Sequence, residues 1–154
     1  MQVWRICRKK HEASAFNGKG AEQTGGRWNH KGHRVVYASE NLSLAVLELF
    51  VHLSPEVMPS DLVAIRATLP KRFTRQELTE ADFPTNWRSY PAPGRLQTLG
   101  TDWLRGRKTL ALLVPSAINP MERNVLLNPA HPQMAAVRVE RGRAFRFDPR
   151  LFGT

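Results

Sequence analysis

One stretch constrains the fold more than any other: Asn41-Leu42-Ser43-Leu44-Ala45-Val46-Leu47-Glu48-Leu49-Phe50-Val51-His52-Leu53. It reads as a helix, capped by Ser39 or Asn41 and closed by Pro55 and Pro59. Nearly every face of it is apolar, so it is expected to lie buried against other elements. Glu48 is its only acid, and an ionised carboxylate in such a place is costly unless it is paired or used. Three readings stay open. His52, four residues on, shares the helix face and can pair with Glu48. A basic residue from elsewhere, such as Arg27, can reach it. Or the carboxylate is catalytic, stabilising a nearby cationic centre or orienting a nucleophile.

The elements around this helix are mostly strands. Val3 to Cys7 alternates Val3, Arg5 and Cys7 on one face with Trp4 and Ile6 on the other. Arg34 to Ala38, Leu62 to Leu69, Thr109 to Val114 and Asn124 to Leu127 are further apolar runs of strand length. Thr74-Arg75-Gln76-Glu77 has capping-box spacing and predicts a short helix. Leu96 to Arg105 predicts another, through Leu99, Trp103 and Leu104. Ala136 to Glu140 and Ala144 to Phe147, joined by Arg141-Gly142-Arg143, predict a hairpin with Gly142 at positive φ. Arg8 to Lys31, rich in glycine, predicts a long loop with one turn of helix. Strands outnumber helices and do not alternate regularly with them, which favours α+β over a doubly wound sheet.

Length allows one domain, residues 1–154, with a real core. No apolar run approaches the roughly 20 residues of a membrane span, and the N-terminus lacks a signal-peptide pattern. Cys7 is the only cysteine, so no internal disulfide and no cysteine-rich metal site is expected. A cytoplasmic protein is the expectation. The 23 basic and 13 acidic residues leave a formal charge of +10. That surface attracts polyanions, whether nucleic acid, nucleotides or an acidic protein. The basic clusters are scattered, however, and no aromatic-interleaved RNA motif accompanies them.

Several residues have the chemistry of a site. Gly25-Gly26-Arg27-Trp28-Asn29 offers close backbone approach, a planar guanidinium for phosphate or carboxylate, a stacking face and a two-way hydrogen bonder. It also reads as an ordinary turn over a buried tryptophan. Tyr37, at a strand end before the Glu48 helix, is either core or a stacking surface. Ser116 follows a strand without a Gly-x-Ser-x-Gly elbow, so a hydrolase nucleophile is disfavoured; a turn cap or a ligand contact remains. Asn128 and His131 lie in the proline-fixed loop Asn128-Pro129-Ala130-His131-Pro132. His30-x-x-His33 is too sparse for a metal site, and neither a Rossmann nor a Walker motif is present.

These motifs, in order, resemble the RES domain family: Gly26-Arg27-Trp28-Asn29, Val36-Tyr37-Ala38-Ser39, Leu44-Ala45-Val46-Leu47-Glu48, Val114-Pro115-Ser116-Ala117 and Asn124 to Pro132. Gly100-Thr101-Asp102-Trp103-Leu104 and Phe147-Asp148-Pro149-Arg150-Leu151 are also similar to it. The family's arginine, glutamate and serine match Arg27, Glu48 and Ser116. One departure is His30-Lys31-Gly32, where the family often has a proline after Gly-Arg-Trp-Asn. The resemblance implies a compact α+β domain similar to ADP-ribosyltransferase toxins, with a split central sheet and flanking helices. It implies the toxin of a bacterial toxin–antitoxin pair that attacks NAD as substrate, with no resident cofactor. Cleavage at the nicotinamide–ribose bond, by hydrolysis or phosphorolysis, is the leading activity; transfer of ADP-ribose to a protein is the alternative. A basic nucleic-acid-binding or RNA-cleaving toxin is the competitor from a different class. Implied roles are a diphosphate clamp for Arg27, nicotinamide stacking for Tyr37 and stabilisation of the ribose cation for Glu48. Ser116 holds the carboxamide, the ribose or the glutamate. His52 orients Glu48, and Trp28, Asn29, Asn128 and His131 complete the NAD pocket. Implied partners are an Xre-like helix-turn-helix antitoxin, NAD and phosphate, with a homodimer as one assembly and no membrane or direct nucleic-acid binding.

Overall fold

A computed structural model describes residues 1–54 and 58–152; Pro55, expected to help close the Glu48 helix, lies outside them. The chain runs through β1 (Gln2–Arg8), α1 (Lys19–Thr24), β2 (Val36–Ser39), α2 (Leu42–Phe50), β3 (Leu62–Thr68), β4 (Arg75–Glu77), α3 (Gly94–Gly106), β5 (Ala111–Pro115), β6 (Arg123–Leu127), β7 (Arg138–Val139) and β8 (Arg143–Phe145). The strands form one sheet in the order β4-β5-β6-β2-β1-β3-β7, with β8 also paired to β3. All pairs are antiparallel except β4 with β5.

The sheet is split at its centre. β1 runs beside β3 over seven residue pairs, Gln2↔Thr68 to Arg8↔Leu62. β2 runs beside β6 from Val36↔Leu127 to Ser39↔Asn124. β1 and β2, by contrast, meet only at Trp4↔Ser39. Two half-sheets therefore diverge from a single junction, as the expected α+β architecture requires.

Alternation on β5 and β6 builds a core on both faces. Ala111, Leu113, Val125 and Leu127 join Val3, Val36 and Ala67 on one side. Leu112, Val114 and Leu126 face the other, under Trp28, Trp87, Leu96, Trp103 and Leu104. α3 contributes the last three of those and closes tightly on the chain around Trp28. A Cβ on Gly100 would stand 1.9 Å from the Trp28 carbonyl oxygen, so only glycine allows that approach.

Three local expectations are corrected. Thr74 to Glu77 forms no helix; Arg75–Glu77 is β4, paired in parallel with Ala111 to Leu113. The Thr74 oxygens accept instead from the backbone of Leu110 and Ala111, so tertiary pairing outweighs the local capping signal. The capping box sits five residues later, between Thr79 and Asp82. β7 and β8 are not a hairpin, because each pairs with β3, at Ala67–Thr68 and Leu62–Ala64. They are two pieces of one edge strand. Gly142, between them, does not take positive φ, and its N–H donates to Glu12 Oε1 at 2.7 Å. Finally, α2 is not a buried helix. It packs on β1 and β2 through Leu44 and Ala45, while Leu47 is 39% and Val51 53% exposed. Among the described residues no helix is long and apolar enough to cross a membrane.

Gly100→Ala is expected to destabilise the fold by about 1–3 kcal/mol or more through backbone overpacking. Urea denaturation of the two proteins measures it; an unchanged midpoint would show that α3 can move aside.

Candidate active site

The split between β1 and β2 opens a cavity of about 190 Å³, floored by α2. Arg5, Tyr37, Ser39, Glu48, His52 and Asn124 supply its polar lining. At His52 it meets a second, wider depression of about 540 Å³, whose polar groups come from Arg27, Arg88 and Tyr90.

Glu48 stands at the centre. Asn41 caps α2 by accepting from the Leu44 N–H at 2.8 Å, as the sequence predicts, and its amide donates to Glu122 Oε1 at 2.8 Å. This ties the start of the helix to the β5–β6 connection. The carboxylate then receives two donors on one oxygen. Ser116 Oγ donates to Oε1 at 2.7 Å, and Asn124 Nδ2 donates to the same atom in a short bond. Ser116 is fully buried. Its oxygen also accepts from the backbone of Ile118 and Asn119, each at 3.1 Å, so the serine is both a turn cap and a support for Glu48. Asn124 is oriented in turn by Ser39, whose hydroxyl donates to Asn124 Oδ1 at 2.7 Å. Glu48 Oε2 accepts no hydrogen bond from the described residues. The pairing of Glu48 with His52 is not formed: the helix ends at Phe50, and the exposed His52 ring faces Tyr90 at 6.3 Å between centroids.

The Arg27 segment is a tight turn closed by the Gly26 N–H to the Asn29 carbonyl at 3.0 Å. Trp28 is the buried anchor of this turn, tilted against Phe83, and its ring contributes to the core. Asn29 is fully buried and donates to the carbonyls of Ala21, His30 and His33. Tyr37 links turn and sheet: its hydroxyl donates to Asn29 Oδ1 at 2.7 Å and accepts from the Trp28 N–H at 3.0 Å. Gly26 is required by that contact rather than by a ligand, since a Cβ there would lie 2.7 Å from the Tyr37 hydroxyl. Burial pushes the Tyr37 phenol well above its ordinary value of 10.0, against the opposing pull of the Trp28 N–H bond and the Arg27 and Arg5 charges. Its ring lines the cavity while its hydroxyl is committed to the scaffold.

Arg27, between these anchors, projects into the second depression. Its Nη1 donates to the Trp87 carbonyl at 2.6 Å and Nη2 to that of Ser89 at 3.2 Å. Burial lowers its pKa, and the charges of Glu48 and Tyr37 act in the opposite direction. Arg88 stands on the same rim, donating to the Ala117 carbonyl at 2.8 Å.

The fold thus brings Arg27, Tyr37, Glu48, His52 and Ser116 to one place. It sends Trp28 and Asn29 inward to brace them. Asn128 is buried, bonded to the Leu104 carbonyl and the Ala130 N–H, and lines a separate depression with His33, Arg34 and Arg107. His131 caps the short turn after it by accepting from the Gln133 N–H. Neither is among the residues lining the Glu48 cavity. Asn124, Ser39, Arg5 and Arg88 were not singled out from sequence. Asn124 and Ser39 had one legible signal: each is a polar residue at the end of an apolar run, Val125 to Leu127 and Val36 to Ala38. Among the described residues, no group of three or more His, Cys, Asp or Glu side chains is placed to hold a metal.

The RES domain model matches residues 2–149. "Toxin Res" of Yersinia enterocolitica is 41% identical over 152 residues, covering 98% of this chain and 99% of that protein. The "Prs ADP-ribosylating toxin" of Sphingobium sp. is 37% identical over 153 residues, covering 96% and 94%. Among solved structures, the M. tuberculosis MbcT-MbcA toxin-antitoxin complex contains a chain with the same fold. Its TM-score is 0.73 at 16% identity, over 99% of this chain and 86% of that one.

Because the folded-state phenol of Tyr37 is raised, its share of stability is fully present below pH 10.0 and is lost as pH rises from there through the folded value. Denaturation midpoints measured across that range should fall more steeply for wild type than for Tyr37→Phe. Asn29→Ala, which leaves the Tyr37 O–H without its acceptor and the His33 carbonyl without its side-chain donor, should cost about 1–3 kcal/mol at neutral pH, read by the same denaturation.

Proposed function

The chain belongs to the RES domain family, and from that membership and the setting of Glu48 we propose that it is the toxin of a bacterial toxin–antitoxin pair that cleaves NAD. The bond broken is the N-glycosidic link between nicotinamide and ribose. The observation that carries the reading is the asymmetry of Glu48. Ser116 and Asn124 pin one oxygen, leaving the other for a ligand in the cavity. A carboxylate fixed in this way hydrogen-bonds a ribose hydroxyl and stabilises the charge that grows on the anomeric carbon as nicotinamide departs. Preorganisation matters here, because a carboxylate that must reorient gives back part of what it stabilises.

The adjoining depression suits the rest of the dinucleotide. Arg27 and Arg88 supply cationic forks for the diphosphate, and Tyr37 presents its ring in the cavity for the nicotinamide. Both arginines are bonded to backbone carbonyls through part of their guanidinium, which holds the fork in place. The exposed Val51 in the wall of this depression, with the exposed Leu47 one turn before it, suits a protein cover. An antitoxin of the Xre-like helix-turn-helix type is the partner proposed. The M. tuberculosis neighbour is part of a toxin–antitoxin complex, which supports a partner of that role.

A second reading, transfer of ADP-ribose to a protein, is favoured by the likeness to the Prs ADP-ribosylating toxin of Sphingobium sp.. It uses the same bond cleavage with a different acceptor. Pure protein incubated with NAD should release nicotinamide, and Glu48→Gln should remain folded while losing about 10²–10³-fold in rate. Failure of the wild type to consume NAD in buffer with phosphate, without it, or with a cell extract sinks the proposal. Free ADP-ribose, its phosphorylated form or a labelled protein identifies the acceptor. Asn124→Ala, which releases one of the two donors to Glu48, should lower kcat with little change in KM.

A further inference from the structure

Arg5 is a half-buried cation with unused hydrogen-bonding capacity. It sits on β1 at the split, next to Trp4, the one β1 residue that pairs with β2 in the sheet. Its Nη1 donates to the Tyr37 carbonyl at 2.6 Å, taking the place of a strand partner that the diverging sheet withholds. Its Nε is buried and has no hydrogen-bond partner, and Nη2 makes no hydrogen bond to the described residues. A buried donor without a partner is costly, and more so when the group is charged. Such a group calls for a ligand, and Arg5 lines the same cavity as Glu48.

The chemistry of the cavity narrows that ligand. Glu48 lines it as well, so a second anion is repelled from the space. A neutral carbonyl oxygen satisfies a guanidinium without that conflict. Resting on the reading of NAD as substrate, we propose that Arg5 is a positioning residue for the leaving group, donating to the carboxamide oxygen of nicotinamide. Its charge also has a direction. In NAD the pyridinium ring is positive. When the C1′–N1 bond breaks, its electron pair goes to the ring nitrogen, the ring becomes neutral, and the positive charge passes to the ribose. An oxygen nucleophile then bonds C1′ and gives up its proton to solvent. Arg5 beside the ring opposes charge there, while Glu48 beside the ribose favours it. The two residues draw the charge along the path the reaction follows.

The test separates this from NAD cleavage itself. Binding of free nicotinamide, and of pyridine, which lacks the carboxamide, is measured by ligand-observed NMR on wild type, Arg5→Met and Glu48→Gln. Nicotinamide affinity should fall about tenfold or more in Arg5→Met, the worth of a charge-assisted bond, and persist in Glu48→Gln; pyridine should bind both Arg5 forms alike. On NAD, kcat should fall in Arg5→Met, and the deficit should shrink for a dinucleotide whose base lacks the carboxamide. If Arg5→Met does not fold, Arg5→Lys, which keeps the charge but has no Nε–H fork, carries the same comparisons. Equal nicotinamide affinity in wild type and variant overturns the inference, as does an equal loss for pyridine, which marks a structural role. Arg5-dependent binding of inorganic phosphate in place of nicotinamide also overturns it, in favour of an anion site. A wild type that binds nicotinamide through Arg5 yet leaves NAD intact refutes the cleavage reading alone.

Discussion

The single backbone pairing between β1 and β2, Trp4 with Ser39, is the constraint on which the rest of the molecule depends. A sheet fully zipped at that seam has no cavity, because backbone pairing fills the space. Diverging strands create room but leave polar backbone unpaired, and each such group must find another partner. Arg5 meets the Tyr37 carbonyl with its side chain. Below the seam, α2 lies across both half-sheets and brings Glu48 to the opening. The site is therefore the place where the sheet stops being continuous.

Rigidity around that opening comes from polar side chains that bond other side chains. Ser39 orients Asn124, and Asn124 and Ser116 hold Glu48. On the far wall, Asn29 fixes the Tyr37 hydroxyl and thereby the turn that presents Arg27. In a partly desolvated setting these bonds are strong, and each missing member exposes its partner to the full cost of burial without a hydrogen bond. Such networks specify one geometry, as a preorganised carboxylate requires. The side chains at the opening are thus held by others that lie deeper, among them Ser116 and Asn29.

Several elements were legible in the chain. The strands β5 and β6, read as apolar runs, the Asn41 cap and the grouping of Arg27, Glu48 and Ser116 through family resemblance all correspond to the folded protein. The departures share one cause. Thr74 to Glu77 has the local chemistry of a helix start, yet Leu110 and Ala111 claim the Thr74 oxygens for a sheet edge. The tail carries hairpin punctuation, yet β3 offers a longer edge than either piece offers the other. Leu47 and Val51 look like core by hydrophobicity, but no described element covers them.

What the sequence by itself determined is the local chemistry: which segments are strands, where α2 begins, and that a lone acid stands in an apolar helix with an arginine and a serine at family spacing. Periodicity and capping act over a few residues and can be read from them. Only the tertiary structure decided which polar groups meet. Asn124 reaches Glu48 across 76 residues of chain and Tyr37 reaches Asn29 across 8. Trp28, readable from sequence as either a stacking face or a buried anchor, is the latter: its ring joins the core cluster, and α3 packs on its backbone through Gly100. Such pairings depend on sheet register and helix placement, which are set by the packing of the whole core and not by any segment's own preference.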